Sequence, residues 1–84
     1  MKTLEITTSK NDTDLSAEQL EAHDAFACQY LQEKLECESV EIVYGGNGLG
    51  AVFAVDGKEV LRDSHEHAHL SRWLDKAFHA WIAQ

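Results

Sequence analysis

Eighty-four residues are the length of one domain, and 44% hydrophobic with 26% charged residues is globular rather than disordered composition. The formal net charge is −8, fifteen acids against seven lysines and arginines. That balance argues against direct nucleic-acid binding, because phosphate contacts need a surplus of basic side chains. No apolar run approaches the ~20 residues of a membrane span. The start, MKTLEITTSK, lacks an apolar stretch of signal-peptide length and carries Glu5, so a cytoplasmic chain is expected.

Leu4 and Ile6 alternate with Thr3, Glu5 and Thr7, which predicts a short strand over 1–8, placed at a sheet edge. Residues 9–15 read as a polar connector. Ser16 followed three residues later by Gln19 is a capping box, with Leu15 and Leu20 as its hydrophobic staple. A helix is therefore predicted over 16–36. Its apolar stripe is Leu20, Ala27, Leu31 and Leu35, with Cys28 and Tyr30 at the margins. Glu18, Glu33 and Glu36 face the opposite way and Glu21 lies at the side, which makes an acidic surface. Asp24 interrupts the stripe. Either its carboxylate reaches water at the stripe margin, or it is buried and needs a donor from His67 or an arginine. Cys28 and Cys37 would be about 13 Å apart on a continuous helix, beyond disulfide reach, so two free thiols and a reducing compartment are expected.

Val40, Ile42 and Tyr44 alternate with Glu41 and Val43, predicting a strand over 39–44. Residues 51–55 form a second strand. Asp56-Gly57 is a two-residue hairpin turn, and 58–62 return as a third strand, with Phe53 opposite Val60 and Val52 opposite Leu61. Both faces of this meander carry apolar residues, which would suit cover by a partner subunit. Residues 64–82 predict a second helix, with Asp63 and Glu66 as its cap. Leu70, Leu74, Ala77 and Trp81 share one side, flanked by Trp73 and Phe78, so this face is expected to hold the largest share of the core. His65, His69, Arg72, Lys76 and His79 recur at helical spacing as a basic and imidazole stripe.

The predicted class is α+β, order β-α-β-β-β-α, with both helices on one face of a small antiparallel sheet of three to four strands. It is one domain, 1–84, whose core is the helix–meander–helix of 16–84. Residues 16–82 resemble double-stranded-RNA-binding domains in element order. That family opens its second helix with a phosphate-gripping lysine cluster. The matching place here is Asp63-Ser64-His65-Glu66-His67, without lysine, which argues against that activity.

Three stretches invite chemistry. Gly45 to Gly50 has fingerprint-like glycine spacing, but a strand rather than a helix is predicted after it, so a hairpin loop is the plainer reading. His65-Glu66-His67-Ala68-His69 places only His65 and His69 on one face. The next stripe residue is the cation Arg72, so no metal site is assigned. The tract reads as a solvated helix face or as a protein-binding face whose charge follows histidine protonation. Cys28 with a histidine and Asp24 is the one catalytic combination worth naming, and a small apolar role for a helix-face cysteine is commoner. No cofactor motif is identified.

The charge is uneven: residues 1–41 hold ten acids against three lysines. An acidic face suits a basic partner. In size and charge the chain resembles the small inhibitors that phages and plasmids direct against CRISPR or restriction complexes. That likeness implies a non-enzymatic, nucleic-acid-mimicking module that occupies a basic surface of a larger protein. The expected contact residues are Glu18, Glu21, Glu33, Glu36, Glu38 and Glu41, with His65, His69, Arg72, Lys76 and His79 as a second face. The alternatives are an antitoxin-like or regulatory homodimer and a small histidine-based metal protein or enzyme.

Overall fold

The computed structural model describes residues 2–8, 15–45 and 50–84. Its elements run β1 (Thr3–Thr8), α1 (Ala17–Lys34), β2 (Ser39–Tyr44), β3 (Val52–Val55), β4 (Lys58–Glu59) and α2 (His65–Ile82). The α+β class and the order of elements are those expected. The sheet is mixed rather than wholly antiparallel, with spatial order β2-β1-β3-β4. β1 pairs parallel with β2, Leu4 beside Val40 and Ile6 beside Ile42. On its other side β1 pairs antiparallel with β3, Leu4 opposite Val55 and Ile6 opposite Phe53.

β1 is thus central, not an edge. A parallel pair needs a long crossover, and α1 supplies it between β1 and β2. The strands predicted as a three-stranded meander are therefore not all neighbours, because β1 lies between β2 and β3. The likeness to double-stranded-RNA-binding domains stops at element order.

The capping box forms as predicted: Gln19 N–H donates to Ser16 Oγ at 3.2 Å and Ser16 N–H to Gln19 Oε1 at 2.9 Å. α1 ends where Glu36 takes φ 55°, the left-handed conformation that stops a helix. The β3–β4 turn has φ 52° at Asp56 and 83° at Gly57, the pair of positive values a two-residue hairpin of type I′ requires. Val60 N–H donates to Phe53 O at 2.8 Å, as the predicted register demands, although β4 is only two residues long and Leu61 lies exposed. α2 is capped by Ser64, not Asp63: Ser64 Oγ accepts from His67 N–H at 3.1 Å.

Leu4, Ile6, Phe53, Leu31 and Leu70 are the largest fully buried side chains, and Ala27 and Ala77 let the two helices approach. The core therefore centres on the inward face of β1 and β3. Trp73, Phe78 and Trp81 are half-buried at its margin.

Two outcomes follow. Phe53→Ala should cost about 3–5 kcal/mol in denaturant unfolding, while Trp81→Ala should cost less, because part of its ring stays in water. The Asp56 carboxylate accepts from Thr3 N–H and Lys2 N–H, both at 2.9 Å. These hydrogen bonds, that from Thr3 foremost, hold its pKa below the ordinary 3.8. A depressed folded pKa means stability present above the unfolded value and lost as pH falls through the folded one. Asp56→Asn, which still tolerates positive φ, should be less stable than the parent at pH 7, and the difference should close below pH 3.8.

Candidate functional site

Glu18, Glu21, Glu33, Glu36, Glu38 and Glu41 are all exposed. They do not form one patch. Helical rise puts Glu18 and Glu21 roughly 20 Å from Glu33 and Glu36. Glu36 and Glu38 lie in the connection to β2, which Gln32 Nε2 secures by donating to Glu38 O at 2.9 Å. Glu41 belongs to a different surface. Among the described residues no element lies over the side of the sheet away from the helices, and register places Glu41, Glu5, Ala54 and Glu59 in one lateral row across β2, β1, β3 and β4. Strands lie about 4.8 Å apart, so three carboxylates span about 15 Å. Directly adjacent like charges oppose pairing, and among the described residues none of the three makes an ion pair. Val43, Thr7 and Val52 form a parallel, more apolar row beside them. Glu5 and Glu59 were missed in sequence because their neighbours depend on the position of β1.

The α2 stripe is exposed along its length, from His65 through His69, Arg72 and Lys76 to His79. It is not purely basic. His79 Nε2 lies 3.6 Å from Asp75 Oδ2 with both side chains mostly exposed, a pair worth little. Lys76 Nζ sits 4.5 Å over the Trp73 ring, and the His69 ring meets Trp73 edge-on. These contacts draw part of the stripe onto an aromatic surface. His67 turns inward instead, edge-on to Phe53 at 5.1 Å, with Nε2 3.3 Å from Ala51 O. Among the described residues no three metal-ligating side chains converge. Of the glycine-rich stretch, residues 46–49 lie outside the described residues. The element that follows is a strand, β3. No described helix is long and apolar enough to cross a membrane.

Asp24 has a donor, and it is neither His67 nor an arginine. Tyr44 O–H reaches both carboxylate oxygens, at 2.7 Å to Oδ2 and 2.9 Å to Oδ1, and His23 Nδ1 lies 3.1 Å from Oδ1. The inward alternation Val40, Ile42, Tyr44 on β2 could have signalled Tyr44, since the last inward residue faces α1 near Asp24's turn. His23 packs edge-on against Phe78 and Trp81 of α2, and its Nε2 is buried without a hydrogen-bond partner among the described residues. Nothing in the stripe analysis singled it out.

These side chains line a cavity of about 550 Å³ between the two helices and the sheet, walled mainly by apolar groups such as Ile6, Leu20, Leu74 and Phe78. Its volume is that of a small-molecule pocket. Burial, and then the hydrogen bond to Asp24 and its charge, push Tyr44 well above the ordinary phenol value. Burial first and Asp24 second also push the Cys28 thiol up. That favours thiol over thiolate, the reverse of what an activated nucleophile needs. Comparison with protein-family models, with curated proteins and with solved structures finds no match.

The Tyr44–Asp24 pair gives a signed outcome. A raised folded pKa contributes stability that is fully present below the unfolded value, near 10.0, and lost as pH rises towards the folded one. Tyr44→Phe removes a hydrogen bond to a carboxylate and should cost about 1.5–3 kcal/mol at pH 7. That difference should shrink above pH 10.0 as the parent protein alone loses stability, read by urea unfolding at a series of pH values.

Proposed function

We propose that this chain is a non-enzymatic acidic binding module that docks on a basic surface of a larger protein, of the kind that otherwise holds nucleic acid. The observation that supports it most is the sheet face away from the helices, where Glu41, Glu5 and Glu59 stand in one row and make no ion pair among the described residues. Adjacent carboxylates destabilise a sheet by a few tenths of a kcal/mol or more. Glu5 and Glu41 side by side, with Glu59 one strand further along the row and an apolar row beside them, make sense as a complementary surface for cations. Glu33, Glu36 and Glu38 extend negative charge around the β2 edge, which steers a basic partner at long range. The module therefore resembles phage- or plasmid-borne inhibitors of CRISPR or restriction machinery in charge and size. Among the described residues no disulfide joins Cys28, half-buried, to Cys37, buried, which suits a reducing cytoplasm. A second copy stacked on this face would bring like charges together. The face thus favours a basic partner over an antitoxin-like homodimer.

Affinity capture from host cytosol with the parent protein and with the Glu5→Lys/Glu41→Lys variant tests this. The parent should retain a partner with a basic surface, and the variant should lose it. Surface-resonance kinetics on that partner should show association slowed at least about tenfold by the reversal, with a flattened salt dependence. Glu33→Lys/Glu36→Lys should slow it less. Capture and association that are indifferent to both reversals and to salt would refute the reading.

A further inference from the structure

We propose that the cavity between α1, α2 and the sheet is a binding site for an organic cation on an apolar stem, an ammonium or guanidinium carried by an alkyl or aryl body. The walls supply the stem's environment. Ile6, Leu20, Leu74 and Phe78 are apolar, and about 550 Å³ accommodates a body of phenethyl size with room to spare.

The polar atoms that meet the cavity supply the sign. The Asp24 carboxylate is an acceptor with about four lone-pair positions, and Tyr44 O–H and His23 Nδ1–H use only part of that capacity. Its side chain is 21% exposed, so it remains reachable. Because an ionised carboxylate can only accept, His23 Nδ1 is the donor of their hydrogen bond. Asp75, exposed and on the cavity lining, adds a second carboxylate at its rim. The two carboxylates therefore call for donors that carry positive charge. An ammonium has three and a guanidinium five.

Other ligand classes fit worse. An anion would meet two carboxylates. A neutral apolar molecule would strip water from Asp24 and give nothing back. A metal ion would need three converging ligands, which the described residues do not provide. The cation can be a free amine or the lysine or arginine side chain of a protein partner, since both carry the same chemistry. This site does not depend on the sheet face, and its test reads the cavity alone.

The test is a titration of the whole protein followed by amide and aromatic NMR shifts. The probes are phenethylammonium, its neutral counterpart phenethyl alcohol, and acetyl-Gly-Arg-Gly-amide as the side-chain arm. Phenethylammonium should saturate with shifts centred on Asp24, Tyr44, Leu74 and Phe78, and the alcohol should bind at least about tenfold more weakly. Saturation by the peptide but not the free amine would assign the cation to a protein partner, and the reverse to a free amine. Asp24→Asn should remove the preference for cation over alcohol. Should that variant fail to fold, Asp75→Asn, at a side chain 73% exposed, should still weaken the cation severalfold and leave the alcohol unchanged. Equal binding of amine and alcohol, shifts centred on Glu5, Glu41 and Glu59, or no saturation by either cationic probe would overturn the proposal.

Discussion

Everything in this molecule is positioned by β1 lying inside the sheet, hydrogen-bonded on both edges. Six residues do the work. Their backbone joins β2 in parallel and β3 in antiparallel register. Leu4 and Ile6 point to the helices and are almost fully buried, packed in one cluster with Phe53, Leu31 and Leu70. The Asp56 carboxylate fixes the start of β1 by accepting the Lys2 and Thr3 amides. Without β1, the two remaining sheet segments would not touch. Among the described residues β2 pairs with β1 alone, and β3 otherwise has only the two-residue β4.

The same strand sets both candidate surfaces. Strand side chains alternate, so the register that buries Leu4 and Ile6 turns Glu5 outward, between Glu41 and Ala54. It also brings Ile6 to the wall of the cavity, beside Ile42 and below α1 and α2. One face thus carries carboxylates in water. The other holds the Asp24 carboxylate in a largely apolar setting, bonded to Tyr44 and His23, with Asp75 at the rim. The two differ in dielectric surroundings. Charges on the open face act at range and are screened by salt, while Asp24 acts at contact and is screened far less.

Local chemistry was legible in the residues themselves. Ser16 with Gln19 announced the start of α1, Asp56-Gly57 the hairpin, and the spacing of Leu70 and Ala77 the buried line of α2. These signals need no knowledge of distant chain. The place of β1 was not legible, because alternation tells which side chains share a face and nothing about which strand lies next. Its short length and flanking polar residues suggested an edge. From that one error came the antiparallel meander and the neglect of Glu5 and Glu59. Asp24 was recognised as anomalous inside its stripe, but its donor came from the far end of β2 rather than from α2. Asp63 and Ser64 are adjacent residues of equal capping chemistry, and only the backbone decides between them. The tryptophans stand half-buried at the helix margin, while the phenylalanine in the middle of the sheet, Phe53, is fully buried.

Residue-resolved amide hydrogen exchange tests the central place of β1 most directly. Amides bonded on both sides of a buried strand open only when the whole domain unfolds. Those of Leu4 through Thr7 should be among the slowest in the protein, with an opening free energy equal to that of global unfolding, while Lys58 and Glu59 exchange far faster. If the β1 amides instead exchange as quickly as those of β4, the strand is a frayed edge. β2 and β3 must then meet directly, and the acidic row and the wall of the cavity described above do not exist.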